Sequence, residues 1–196
     1  MIRQTLILLS ICIWLISCNI NEQQKADASQ DLKSQVSGDV DSAMDESYLI
    51  DDDSFYGIQV GSKIADIPES KISKSTAKNA EGTYDMYQIM DGGDKIGYFS
   101  ADPIDQDLVG AITVTTDKAS TKYKIGIGTT YKEIKIIQNI FEVHGSELAN
   151  KTHVKYGNLS FGLDYPSNVY LLDKEEIPET AKVIDIVINR NAESVK

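Results

Sequence analysis

Apolar residues follow three patterns along the chain, and each predicts a different kind of structure. A predominantly apolar run covers residues 6–16, and residues 19–47 then hold few large apolar side chains. From about residue 54 onward, apolar and polar residues alternate in short runs, which is typical of β-strands. We therefore expect a globular domain over residues 48–196.

The alternating runs predict two groups of antiparallel strands. The first group covers 83–90 and 95–101, a hairpin around Asp91-Gly92-Gly93-Asp94, and then 108–116. The second group covers 153–156, 159–163 and 183–189, with a shorter candidate at 169–172. Turn residues separate the strands in both groups.

A helix is predicted before the second group of strands. Thr130 and Glu133 have the spacing of a capping box, and Tyr131, Ile134, Ile137 and Phe141 fall on one helical face. This helix should end near Val143. Before the first group, Pro68 and the polar run 71–80 shorten the corresponding helix.

One sequence pattern occurs twice. Tyr56-Gly57-Ile58-Gln59-Val60-Gly61-Ser62 is echoed by Tyr123-Lys124-Ile125-Gly126-Ile127-Gly128-Thr129. Each copy precedes a predicted helix and then strands, so we expect an α+β fold with antiparallel sheets and short helices. The expected tandem repeat units cover about 54–120 and 121–191, and they share a sheet or pack face to face.

The N-terminus has the parts of a secretory signal peptide over residues 1–17. Its apolar run is too short for a membrane-spanning helix, which needs roughly 20 residues. Leu15-Ile16-Ser17-Cys18 resembles the bacterial lipobox. The resemblance implies cleavage before Cys18 and a lipid on its sulfur, and the alternative is an ordinary export signal.

Residues 18–47 then form the lipidated cysteine and a disordered tether, because so polar a segment buries too little to fold. The lipid on Cys18 makes the membrane a partner of the chain. By the sorting rule of enteric bacteria, Asn19 favours the outer membrane, facing the periplasm. Exposure on the cell surface is the alternative.

Composition excludes several function classes. Removal of residues 1–17 leaves 18 basic and 30 acidic residues, a charge that repels nucleic acid phosphates. Cys18 is then the one remaining cysteine, which excludes disulfides and thiolate metal sites. We expect no nucleic acid partner.

Candidate catalytic residues are few. His144 and His153 are the only histidines, and they lack the spacing of a zinc motif. Asp102 and Asp164 occupy matching places in the two units, where turn residues at strand ends are the favoured interpretation and a glycosidase pair the alternative. The glycine pairs lack a phosphate-loop pattern. We therefore expect no catalytic, cofactor-binding or metal residues and no cofactor.

The middle of the chain resembles a known family. Met86-Tyr87-Gln88-Ile89-Met90-Asp91-Gly92-Gly93-Asp94, Ala111-Ile112-Thr113-Val114 and Lys124-Ile125-Gly126-Ile127-Gly128-Thr129 with Tyr131-Lys132-Glu133 are similar to an uncharacterised family of sigma-E-regulated envelope lipoproteins. The resemblance covers about residues 84–189. It implies location and fold and carries over no catalytic residue.

The expected function is that of a non-enzymatic envelope lipoprotein that binds an envelope protein or a cell-wall component. Ten tyrosines, many of them near predicted strands, are compatible with an interaction surface. The first alternative is a small-molecule or glycan-binding periplasmic domain. The second, more remote, is a hydrolase with an unrecognised site.

Overall fold

Strands dominate the part of the chain that the structure describes. The structure is a computed structural model, and it describes residues 45–79, 82–137, 141–146 and 150–190. The strands are β1 Leu49–Ile50, β2 Ser54–Phe55, β3 Ile58–Gln59, β4 Ile72–Asn79, β5 Gly82–Asp91, β6 Asp94–Ala101, β7 Val109–Val114, β8 Ser120–Thr121, β9 Glu142–Ser146, β10 Lys151–Tyr156, β11 Leu159–Leu163 and β12 Val183–Ile188. The α-helix is α1 Tyr131–Ile137, and short 3-10 helices cover Glu46–Tyr48, Ile64–Asp66, Glu69–Lys71 and Lys174–Glu176.

Eight strands form one antiparallel sheet in the order β4-β5-β6-β7-β12-β11-β10-β9. Consecutive strands pair within each half, and the halves meet where β7 pairs with β12, with Val114 opposite Ile186. A smaller sheet has the order β3-β2-β1-β8. The predicted β5–β6 hairpin is confirmed, and Gly92 and Gly93 adopt the positive φ angles that its turn requires.

The hydrophobic core lies on one face of the large sheet. One row of paired residues crosses all eight strands through Ile72, Ile89, Gly97, Val114, Ile186, Phe161, Val154 and Val143. The small sheet adds the buried Ile50 and Phe55, and α1 adds Tyr131 and Ile134. Each such side chain contributes about 1.5–3 kcal/mol through burial, so this shared core joins both halves.

The opposite face of the large sheet carries mostly polar side chains, because neighbouring residues in a strand point to opposite sides. We call it the polar face. One of its rows runs through Ser73, Gln88, Tyr98, Thr113, Val187, Ser160, Lys155 and Glu142. Thr113 is buried, whereas the other seven stay at least partly exposed.

The expected α+β class is wrong. The described residues contain one α-helix of seven residues beside twelve strands, so the fold is β-rich rather than a repeat of helix-plus-strand units. In the first half, Ile64–Asp66 and Glu69–Lys71 are single 3-10 turns that flank Pro68. Proline removes a backbone donor and clashes with the preceding turn, which prevents a longer helix there.

The strands β4 and β9 lie where the sequence predicted no strand. The helix is described over Tyr131–Ile137, and Val143, near which it was expected to end, lies in β9. The polar run after Lys71, which was expected only to shorten a helix, forms the edge strand β4. At 169–172 the described structure has one isolated bridge, between Leu171 and His144, in place of a strand.

The sequence echo has a counterpart in backbone contacts. Gly61 N donates to Val109 O at 2.8 Å, and Gly128 N donates to Val183 O at 2.8 Å. Both glycines have positive φ, 81° and 89°. Each hydrogen bond is accepted by the first residue of the last large-sheet strand of its half, β7 or β12. The two halves thus attach their central strands in the same way, although a helix follows the contact in the second half alone.

Candidate functional site

A cleft of about 610 Å³ opens on the polar face near strands β9 to β12. We call it the histidine cleft. Its lining residues are Gly145, Ser146, His153, Ser160, Tyr170, Val187 and Asn189. The volume lies within the range of small-molecule sites, and the lining residues come from four strands, the loop with Tyr170 and the residue after β12.

The two histidines of the chain lie directly opposite each other on the neighbouring strands β9 and β10. His144 Nε2 lies 3.1 Å from Glu142 Oε2. Burial lowers the pKa of His153, the nearby Lys151 and His144 lower it further, and the Asp185 carboxylate opposes this shift. His153 is therefore predominantly neutral at pH 7 and can both donate and accept a hydrogen bond.

A charged pair crosses the sheet beside His153. Lys151 of β10 donates to the carboxylate of Asp185 of β12, although β11 lies between these strands. Gly162 makes this contact possible, because a Cβ at that position would lie 2.1 Å from Asp185 Oδ1 and 3.2 Å from Lys151 Cδ. The two charges neutralise each other at the border of the cleft.

Ser160, His153 and Asp185 have the residue types of a hydrolytic triad, but their geometry differs from one. Ser160 Oγ lies 3.5 Å from His153 Nδ1, beyond the usual reach of a nucleophile and its base. In the described part of the chain no hydrogen bond joins His153 to Asp185, and the carboxylate instead binds Lys151. The arrangement supports hydrogen bonding to a ligand better than activation of the serine.

Tyr170 forms one wall of the histidine cleft. Its carbonyl accepts from Gly145 N at 3.1 Å, and its ring lies 4.9 Å from the His144 ring at a tilt of 31°. The side chain is nevertheless 61% exposed, and Val169 and Leu171 beside it are 52% and 82% exposed. The loop thus presents a backbone-anchored aromatic ring together with apolar surface.

Asp102 and Asp164 each lie directly after a strand, and their hydrogen bonds are structural rather than those of a catalytic pair. Asp102 Oδ1 accepts from Ile104 N and Asp105 N, and Asp102 Oδ2 accepts from Arg190 Nη1 at 2.7 Å. Asp164 Oδ1 accepts from Lys182 N at 2.6 Å. Their oxygens therefore hold turns and strand ends in place.

A second polar cluster joins the start of the described chain to the β5–β6 turn. Tyr48 and Tyr56 both donate their hydroxyl hydrogens to the Asp91 carboxylate. These bonds raise the pKa of Tyr48 to about 12 and lower the pKa of Asp91. Both tyrosines stay protonated at neutral pH, so the cluster is suited to fixing the turn rather than to proton transfer.

The tyrosines of the described chain do not form one surface. Tyr87 stacks on Phe99 in the core, Tyr131 is buried in α1, and Tyr123 packs edge-on against Tyr156. Tyr98 lies on the polar face, and Tyr84 lines a second cleft of about 430 Å³. The tyrosine that does line the histidine cleft, Tyr170, was not predicted as a site residue.

Each glycine pair noted in the sequence contributes a residue to a turn. Gly61 and Gly128 serve as positive-φ turn residues that donate backbone hydrogen bonds within the chain. Within the described ranges, no group of three or more potential metal-ligating side chains comes together. No helix in the described residues has the length and apolar character needed to cross a membrane. Cys18, with the signal peptide and tether, lies outside the described residues.

Sequence reasoning missed the histidine cleft because its residues are far apart in the chain. Ser160 lies in β11, Tyr170 in a loop and Asn189 directly after β12, and none lies in a recognisable motif. Alternation within β10 and β11 places His153 and Ser160 on one face, but it does not specify which strands are neighbours. Strand order was the missing information.

Comparisons with known proteins add information about the fold. No protein family matches the chain, and no curated protein matches it. The crystal structure of the uncharacterised protein YfeY from Escherichia coli is similar, with a TM-score of 0.50 and 12% sequence identity. The similarity covers 72% of this chain and 99% of that chain. At this identity the similarity shows a shared fold alone.

Proposed function

We propose that the chain is a lipid-anchored protein of the bacterial envelope whose β-rich domain binds an envelope component through the polar face, without catalysis. One observation carries the binding role: the polar face holds partly exposed side chains across the large sheet and contains the histidine cleft. Concave surfaces with a few convergent polar groups are the usual form of binding sites.

The proposed anchor rests on the residues before and at Cys18. Leu15-Ile16-Ser17-Cys18 matches the lipobox pattern, and a diacylglycerol group there would hold the domain at the membrane. Asn19 favours the outer membrane with the domain in the periplasm, and surface exposure is the alternative. Labelling cells with a fatty acid should mark the wild-type chain and not Cys18→Ala, and equal labelling of both would refute the anchor.

The proposed partner is an envelope protein or a cell-wall component. A photo-crosslinking residue placed at Ser73 or Lys155 lies on the polar face, whereas one at Asp117 lies in the loop after β7. In intact cells, reproducible adducts from the first two positions and not from the third are expected. Equal adducts from all three positions, or none from the polar face, would contradict the proposal.

The second candidate function is that of a small-molecule or glycan-binding domain, and the histidine cleft favours it. Its wall of Tyr170 and its convergent Ser160, His153 and Asn189 side chains are the features that such a site requires. The hydrolase alternative is weaker because the Ser160 and His153 side chains are not joined to a carboxylate. A ligand bound to the cleft in a crystal would favour the second candidate.

A further inference from the structure

The lining of the histidine cleft offers hydrogen-bonding groups without net charge. Ser160 contributes a hydroxyl group, and His153 contributes an imidazole whose pKa is lowered by burial. Asn189 Nδ2 donates to Asn158 O at 3.1 Å, which fixes the amide and leaves its oxygen as an acceptor. These groups can exchange hydrogen bonds with a ligand that carries both donors and acceptors.

Two pairs of ionisable side chains near the histidine cleft are in contact with each other. Lys151 is bound to Asp185, and His144 is paired with Glu142. An ionic ligand would have to compete with these pairs and would find no charged carboxylate or ammonium in the lining. The chain as a whole carries a formal charge of −11, which further disfavours an anion.

Tyr170 supplies the remaining element of recognition, a ring face. Gly145 holds its backbone and the His144 ring contacts its ring, while the residue as a whole is 61% exposed, so the ring has a contact that favours its position before any ligand arrives. A pre-positioned aromatic side chain adds contact area at little cost in conformational entropy. Val187 adds an apolar patch to the floor of the cleft.

We propose that the histidine cleft binds an uncharged sugar unit, with one face of the sugar ring on Tyr170 and its hydroxyl groups bonded to Ser160, His153 and Asn189. A sugar ring combines an apolar C–H face with hydroxyl groups that donate and accept, which is the chemistry that this lining complements. The cleft volume of about 610 Å³ accommodates a ring with its substituents. The inference rests on the proposed binding role of the polar face and assigns a ligand class to it.

The test is titration of the full chain with three neutral trisaccharides: chitotriose, cellotriose and maltotriose. The protein is held in a detergent whose headgroup contains no sugar, and binding is followed by chemical-shift changes of the cleft residues. At least one neutral trisaccharide should shift them, whereas trigalacturonic acid should not. No shift with any neutral probe up to about 10 mM, or stronger binding of the charged probe, would overturn the sugar assignment.

Variants distinguish the histidine cleft from other surfaces. Tyr170→Ala should weaken binding by about tenfold, whereas Tyr170→Phe should retain it, because the ring alone provides the contact. Tyr84→Ala is the matched control, since it removes an exposed tyrosine from the second cleft. Loss of binding in Tyr84→Ala and not in Tyr170→Ala would place the ligand elsewhere and refute the assignment.

Failure of the sugar assignment differs from failure of the proposed function. If crosslinks from Ser73 and Lys155 persist while no trisaccharide binds, the polar face has another ligand and only the sugar assignment fails. If a trisaccharide binds and no crosslink forms, the cleft assignment stands and the wider partner surface fails.

Discussion

The carboxylate of Asp102 connects the two halves of the large sheet at the level of single residues. It is 4% exposed and accepts from Arg190, which follows the last strand, and from two backbone amides of its own loop. The Arg190 hydrogen bond, with these amides, lowers the pKa of Asp102 despite its burial. The residue thus ties the end of the described chain to the loop between β6 and β7.

Asp102→Ala should lower the free energy of unfolding by roughly 2–4 kcal/mol, because it leaves Arg190 and two amides without their acceptor. Asp164→Ala is the matched control, since that exposed carboxylate accepts one amide hydrogen. Urea unfolding of both variants measures the difference. An equal loss in both would show that the Asp102–Arg190 contact adds nothing to stability.

His153 should make the stability of the domain dependent on pH. Burial holds its folded-state pKa below the ordinary value of 6.5, so the unfolded chain binds a proton more readily. The contribution of neutral His153 to the free energy of unfolding is fully present above about pH 6.5. It is lost as the pH falls through the folded-state pKa. Asp91 and Asp102, whose pKa values are lowered in the folded state, affect the stability of the domain at more acidic pH.

His153→Gln should therefore flatten the decline of unfolding free energy between about pH 7 and pH 5. Glutamine keeps a donor and an acceptor without titrating. The measurement is the midpoint of urea unfolding at several pH values in this window. An identical pH profile in both proteins would exclude His153 as the responsible group.

At the scale of elements, α1 depends on its first turn. Thr130 N donates to Glu133 Oε2 at 2.7 Å, and Glu133 N donates to Thr130 Oγ1 at 3.3 Å, which confirms the predicted capping box. A seven-residue helix is too short to be stable alone. Its stability comes from this cap and from the burial of Tyr131 and Ile134.

Thr130→Ala should cost about 1 kcal/mol of unfolding free energy, the usual value for loss of an N-cap hydroxyl. Chemical denaturation measures the loss. In a double-mutant cycle, Glu133→Ala should have a smaller effect on the Thr130→Ala background than on wild type. Additive effects would show that the two side chains act independently.

The local pattern of apolar and polar residues was sufficient to predict some strands and insufficient to predict others. The strands β5, β6, β7, β10, β11 and β12 were predicted, with end residues that differ by up to two positions, because each is a short run with apolar residues bounded by turn residues. The strand β4 was missed because an edge strand such as Ile72–Asn79 has little apolar residue content to alternate. Helical spacing of Phe141 suggested a longer helix, but Phe141 directly precedes β9, whose residues pair with β10.

The candidate site was predictable only in part. His144 and His153 were singled out as the chain's histidines, but their position opposite each other depends on β9, which was not predicted. Tyr170 and Asn189 carry no motif, and their place in the cleft follows from the order of strands. Long-range pairing is not encoded in any local window of the sequence.

At the scale of the whole molecule, one continuous sheet makes the two halves a single folding unit. The strands β7 and β12 lie at its centre and contribute Val114 and Ile186 to the shared core. Residues of both halves belong to the same buried cluster. Neither half completes its core alone, so we expect cooperative unfolding.

Native-state hydrogen exchange should show this cooperativity. The slowest amides of β7 and β12 should exchange through the same global opening, with equal free energies, whereas the edge strand β4 should exchange faster. Exchange in increasing denaturant, read by NMR, separates these classes. Different limiting free energies for β7 and β12 would show that the halves unfold separately.

The contact of Lys151 with Asp185 over Gly162 links three positions on three successive strands. A side chain at position 162 would displace the carboxylate, and loss of either charge would leave the other partly buried without its partner. These positions are thus constrained jointly during sequence divergence. Among homologous proteins, glycine at this place in the middle strand should accompany the charge pair, and a larger residue should accompany loss of both charges.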